Sequence, residues 1–97
     1  MSGGSRVGPV LQAGPQADAI VSAVRALNVA VEVVDRGAYL RLLVPGVCRL
    51  TRAAVERETG KRFDLPSDLE RIMPSFKGRF RVDETEAVWW AEDDRPT

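Results

Sequence analysis

A cysteine, two closely spaced carboxylates and a glycine–lysine dipeptide are the groups in this sequence that could enter a reaction. Cys48 would need a basic partner to become a nucleophile, and the chain has no histidine to serve as one. The same absence excludes Ser-His-Asp devices and every zinc site with imidazole ligands, and a lone cysteine cannot build a thiolate cluster. Within Val47-Cys48-Arg49-Leu50, Cys48 reads as a buried small hydrophobe. Glu56 and Glu58 stand two apart on an expected helix, so they point in different directions and read as a solvated face rather than an acid–base pair. Gly60-Lys61 would suit a phosphate loop, but Val55 replaces the first required glycine and Arg62 the required hydroxyl. No catalytic, cofactor-binding or metal-binding residue is therefore expected. If the chain serves an enzyme, the reactive parts belong to another subunit.

With 97 residues, the chain has room for one domain that buries about 60 to 68% of its unfolded surface. A hydrophobic fraction of 44% with 29% charged residues fits a folded soluble protein, and no apolar run reaches the roughly 20 residues of a spanning helix. Met1-Ser2-Gly3-Gly4-Ser5 lacks the apolar stretch of a signal peptide, and Ser2 stands where myristoylation needs glycine. With one cysteine and no internal disulfide, a cytoplasmic, monomeric protein without membrane contact is expected. The net charge of zero is unevenly spread: Arg36 to Arg81 carries 11 basic against 5 acidic residues, and the flanks carry 3 against 9. Arg outnumbers Lys by 12 to 2, a preference that suits planar interface contacts.

The elements that would position these groups follow from periodicity. Residues 1–6 read as a flexible arm, and 7–12 as a short strand that Pro9 confines to an edge or an irregular course. Gly14-Pro15 opens a helix with Ala17, Ile20, Val21, Val24 and Leu27 on one stripe, ending near Asn28. Residues 29–34 and 39–44 form a hairpin, with Leu40, Leu42 and Val44 on one face and Tyr39, Arg41 and Leu43 on the other. A short extended piece at 47–50 precedes a helix from 52 to 59, capped by Thr51 and closed by Gly60. Asp64 is the expected cap of a second short helix bearing Leu65, Leu69, Ile72 and Met73, stopped by Pro74. Residues 78–82 and 86–91 make a second hairpin in which Trp89 and Trp90 must face opposite ways. Residues 92–97 read as an acidic, frayed tail. The expectation is α+β: a single two-layer domain of small, mostly antiparallel sheets packed with three helices, in the order β-α-β-β-β-α-α-β-β.

Laid out this way, the chain resembles the MmoB/DmpM family of coupling proteins of bacterial multicomponent monooxygenases, most closely the toluene monooxygenase type effectors. The likeness runs over residues 7–91. It rests on Val7-Gly8-Pro9, Asp35-Arg36 followed by Ala38-Tyr39 and Arg41, Leu50-Thr51-Arg52, Glu56, Gly60, Arg62-Phe63, Leu69-Glu70, and Ser75-Phe76 with Gly78. The resemblance implies a cofactor-free regulatory protein, not an enzyme, that binds a di-iron hydroxylase and couples electron delivery to oxygenation. It also implies alternation on the hydroxylase with the ferredoxin or reductase.

Pro74-Ser75-Phe76-Lys77-Gly78 looks like the family loop that lies against hydroxylase helices above the di-iron site, and Arg6, Val7, Gly8 and Pro9 are similar to the arm that relatives lay along the partner. The resemblance thus implies a hydroxylase-binding set of Arg6, Val7, Gly8, Pro9, Arg52, Ser75, Phe76, Lys77 and Gly78. Tyr39 and Arg41 read as hairpin supports, and Phe63 as core. The alternative is a small RNA-binding module, because residues 77–82 are similar to the RNP1 strand of RNA-recognition motifs. Arg79 stands where that strand needs a stacking aromatic, and the zero net charge argues against nucleic acid as a partner.

Overall fold

A computed structural model describes residues 5–95. Its elements are β1 (Arg6–Gln12), α1 (Pro15–Leu27), β2 (Glu32–Asp35), β3 (Tyr39–Pro45), β4 (Val47–Thr51), α2 (Arg52–Thr59), α3 (Ser67–Ile72), β5 (Ser75–Lys77), β6 (Arg79–Val82) and β7 (Glu86–Trp90). The α+β class, the three helices and the antiparallel pairing are those expected from the sequence. The order gains β5, a strand where periodicity showed only a loop.

The strands form two sheets, β2-β3-β1-β5 and β4-β7-β6. Pro9 does not put β1 at an edge. It lies between β3 and β5 because its ladder with β3 is broken where Pro9 has no N–H to give: pairs are made at Arg6 and Val7 and resume at Val10. Gly8 is required beside that gap, since a Cβ there would fall 2.3 Å from the Leu42 carbonyl oxygen. Leu40, Leu42 and Val44 of β3 and Val7 and Leu11 of β1 point inward together, and Trp89 of β7 is fully buried while Trp90 is half-buried. Each fully buried aliphatic side chain of this set contributes roughly 1.5–3 kcal/mol relative to exposure.

The α1 stripe is rotated from its expected course. Ala17, Ile20, Ala23 and Val24 are buried, whereas Leu27 is 42% exposed. Asn28 decides how the helix ends: its Nδ2 donates to the Val24 and Arg49 carbonyl oxygens, and its Oδ1 accepts the Arg49 N–H. Anchored there, the chain turns through Ala30 at φ 56°, so β2 begins at Glu32 and not at residue 29, and Val29 is 82% exposed. Thr51 caps α2 by accepting the Ala54 N–H at 3.1 Å, and Gly60 closes it at φ 70°. Asp64 does not cap α3. Its carboxylate is taken by Arg62 and Arg52, and α3 begins after Pro66.

Arg6 already belongs to β1, opposite Pro45, so the part of the expected arm at 1–4 lies outside the described residues. Beyond β7, the Asp94 N–H donates to the Ala91 carbonyl, and the Asp94 side chain lies by Gly46. Residues 92–95 therefore fold back on the domain, and the last two residues of the expected tail lie outside the described ones.

Candidate functional site

The segment from Ser75 to Val82 links the two sheets. β5 runs along β1 in the larger sheet, Gly78 turns, and β6 enters the smaller one. Gly78 is required at the crossing: its φ is 103°, and a Cβ would lie 2.6 Å from Val7 Cγ1 and 2.8 Å from the Trp90 carbonyl oxygen. Contacts within its own fold are thus what require glycine at this position.

Phe76, opposite Pro9, turns toward the smaller sheet. Its ring is 5.0 Å from Phe80, tilted by 42°, and Phe80 stacks on buried Trp89 at 5.1 Å. Phe76 is nevertheless 43% exposed. It closes a ladder that carries the core out to the surface, and with Gly78, Arg79, Phe80 and Trp90 it lines an open groove. A second depression begins at Gly78 and Arg79 and takes in Arg6, Lys77 and Glu92. Two ion pairs border these depressions, Arg6 with Glu32 and Arg79 with Glu92, the latter at 3.7 Å. Both pairs are solvent-exposed, a setting worth about 0–1 kcal/mol, so their cations exchange partners cheaply.

The arrangement has the physical features that a contact surface uses. An exposed ring backed by a rigid stack loses little entropy on burial, and a charged rim surrounds it. It also removes the RNA-binding alternative, which needs aromatics on the open face of one four-stranded sheet; Phe80 belongs to a three-stranded sheet and is sandwiched between two rings. Cys48 offers no reactive thiol, because burial pushes its pKa up to about 12. Among the described residues no group of three or more His, Cys, Asp or Glu could hold a metal ion, and no helix is long and apolar enough to cross a membrane.

A family profile described as the MmoB/DmpM family matches residues 5–90. The chain belongs to the MmoB/DmpM family. This MmoB/DmpM chain is 44% identical over 86 residues to the effector subunit of the alkene monooxygenase system of Xanthobacter autotrophicus (strain ATCC BAA-1158 / Py2), spanning 87% of this chain and 84% of that protein. Its fold matches a chain in a structure of the phenol hydroxylase–regulatory protein complex with a TM-score of 0.78 at 17% identity, covering 90% of this chain and 98% of the other.

Of the residues singled out from sequence, the MmoB/DmpM fold brings Arg6, Phe76, Lys77 and Gly78 to one surface, with Ser75 adjoining on β5. Val7, Gly8 and Pro9 are buried in β1 between β3 and β5, and of the three only Val7 reaches the lining of the second depression. Arg52 sits in another cluster. Its side chain binds Glu56 at 3.0 Å and Asp64 at 3.6 Å, and its N–H donates to the Thr85 carbonyl. Glu56 also accepts the Phe63 N–H at 2.9 Å, so it ties α2 to the following loop and is not a merely solvated carboxylate. The Phe63 N–H first, and then Arg52, hold its pKa below the ordinary value. Sequence reasoning left Arg79, Phe80 and Trp90 out of the site. The alternation at Trp89-Trp90 was the available signal, since it required one of the two rings to face outward.

Proposed function

We propose that this chain is a cofactor-free, non-catalytic effector that docks on the di-iron hydroxylase of a multicomponent hydrocarbon monooxygenase. The observation that carries the reading is its likeness, along most of both chains, to an alkene monooxygenase effector subunit. Docking centres on Phe76, the ring exposed at the end of the Phe76–Phe80–Trp89 stack, with Ser75, Lys77, Gly78 and Arg6 around it. Gly8 and Pro9 act from beneath, by holding β5 in place, and Val7 by packing under Gly78. Arg52 reaches the partner only by releasing Glu56 and Asp64.

A protein without reactive groups changes a partner's chemistry only by binding one of its conformations better than another. Here the favoured conformation is the one in which the hydroxylase active site is shaped for oxygen activation coupled to hydroxylation or epoxidation. The ferredoxin or reductase uses the same ground on the hydroxylase, so the two partners alternate.

Titration into the purified hydroxylase system tests this. The chain alone turns over no hydrocarbon, and adding it up to stoichiometric ratio raises product formed per NAD(P)H consumed. An unchanged ratio across the whole titration overturns the proposal.

A further inference from the structure

One cross-strand row spans the whole larger sheet: Ser75 lies opposite Val10, Val10 opposite Arg41, and Arg41 opposite Val34. Directly paired residues of antiparallel strands share a face, so the four side chains stand together. The Gln12–Tyr39 pair lies on one side of the row, and the Leu43–Glu32 pair on the other. This face is the reverse of the one that Leu40, Leu42 and Val44 bury in the core. Arg41, Gln12 and Ser75 are exposed, Tyr39 is 44% exposed, and Val10, Val34 and Leu43 are half-buried without joining the core.

An open sheet face ordinarily carries polar side chains. Here Gln12, Glu32 and Ser75 share it with three aliphatic residues and a tyrosine that surround the Arg41 cation. Arg41 has no ion-pair partner among the described residues, and the cations Arg49 and Arg81 of the smaller sheet both have one. Tyr39 and Arg41, which the sequence suggested as supports of their hairpin, point away from everything the hairpin packs against.

We infer that this face is a second part of the docking interface, covered by the same hydroxylase through an apolar surface that brings a carboxylate to Arg41. The inference rests on the function proposed above. Continuity is the first reason: Arg6 and Lys77 share this face with Ser75 and line the depression that begins at Gly78, so a partner seated there already stands at its border. Size is the second, because a specific interface takes about 800 Å² from each partner and some 20–30 residues, more than the aromatic groove and its rim supply. Charge is the third. In a two-fold dimer built on this row, Arg41 would face its own copy, an unfavourable pairing, whereas a carboxylate-bearing partner satisfies it.

Hydroxyl-radical footprinting of the full chain, with and without the purified di-iron hydroxylase of its own monooxygenase, decides the matter. Tyr39 is expected to be protected together with Phe76, and Arg41→Glu to weaken hydroxylase binding by about tenfold or more, with a melting temperature within about 2 °C of the parent. Protection of Phe76 without Tyr39 overturns the inference and leaves the docking proposal standing. Protection of Tyr39 in the chain alone, rising with its concentration, also overturns it, by assigning the face to a second copy. Absence of any binding by the parent chain removes the docking proposal, and this inference with it. Should Arg41→Glu fail to fold, the footprint of the parent chain still gives the answer.

Discussion

Phe76 and Phe80 stand 5.0 Å apart, ring to ring, and because Phe80 stacks on Trp89 the more exposed aromatic of the segment from Ser75 to Val82 rests on the centre of the core. Seating of this kind separates binding from stability. The outer ring can be removed without opening a cavity beneath it.

Phe76→Ala is accordingly expected to weaken hydroxylase binding more than it lowers the melting temperature. A buried Phe→Ala costs about 3–5 kcal/mol, but Phe76 is 43% exposed, and an aromatic pair adds only about 0.5–1.5 kcal/mol. Calorimetric titration against the hydroxylase and a thermal melt give the two numbers. A large loss of stability with unchanged binding would return Phe76 to the core.

Gly78→Ala should destabilise the chain by more than Gly37→Ala does. Both glycines have positive φ, 103° and 79°, so both substitutions strain the backbone by about 1–3 kcal/mol. Only Gly78 adds a collision, with Val7 and the Trp90 carbonyl; nothing lies within 4 Å of a Cβ at Gly37. Equal urea midpoints for the two variants would contradict the crossing geometry.

Asn28→Ala removes three hydrogen bonds: one of 2.8 Å back to Val24 within α1, and two of 2.8 and 2.9 Å that tie the end of α1 to Arg49 of β4. The loss should be about 1–3 kcal/mol, since it strands the Arg49 N–H and carbonyl in a half-buried position. Asn28→Asp keeps the acceptor for the Arg49 N–H and loses both donors, so its stability in denaturant unfolding should not recover to the parent value.

Glu56 makes stability depend on pH in a defined direction. Its folded pKa is depressed below 4.5 by the Phe63 N–H and Arg52, so its contribution is complete above the unfolded value and disappears as pH falls through the folded one. The parent should therefore exceed Glu56→Gln in stability at pH 7, and the gap should close on acidification below about pH 4. Denaturant unfolding at both pH values checks this; a gap that persists in acid would assign the effect to shape and not to charge.

Much of the architecture was legible in advance because local rules govern it. Thr51 and Gly60 bound α2 through hydrogen bonds made within a few residues, and the alternation in β3 places Leu40, Leu42 and Val44 inward. Of the two readings that Pro9 allowed, the edge fails and the irregular course holds, because the rule against proline in a central strand assumes an unbroken ladder, and the break beside Gly8 depends on how closely β3 approaches. β5 was invisible because three residues carry no period, and its pairing with β1 joins positions far apart in the chain.

Read by itself, the sequence determined the fold class, the exclusion of histidine-based chemistry and the family, since composition, short-range periodicity and ordered motifs carry those. Only the tertiary structure decided which of the named residues share a surface. Burial of Val7, Gly8 and Pro9, commitment of Arg52 to Glu56 and Asp64, and recruitment of Phe80 and Trp90 beside Phe76 all follow from contacts between distant segments. Such contacts depend on register and on the angle at Gly78, quantities that no local pattern of side chains encodes.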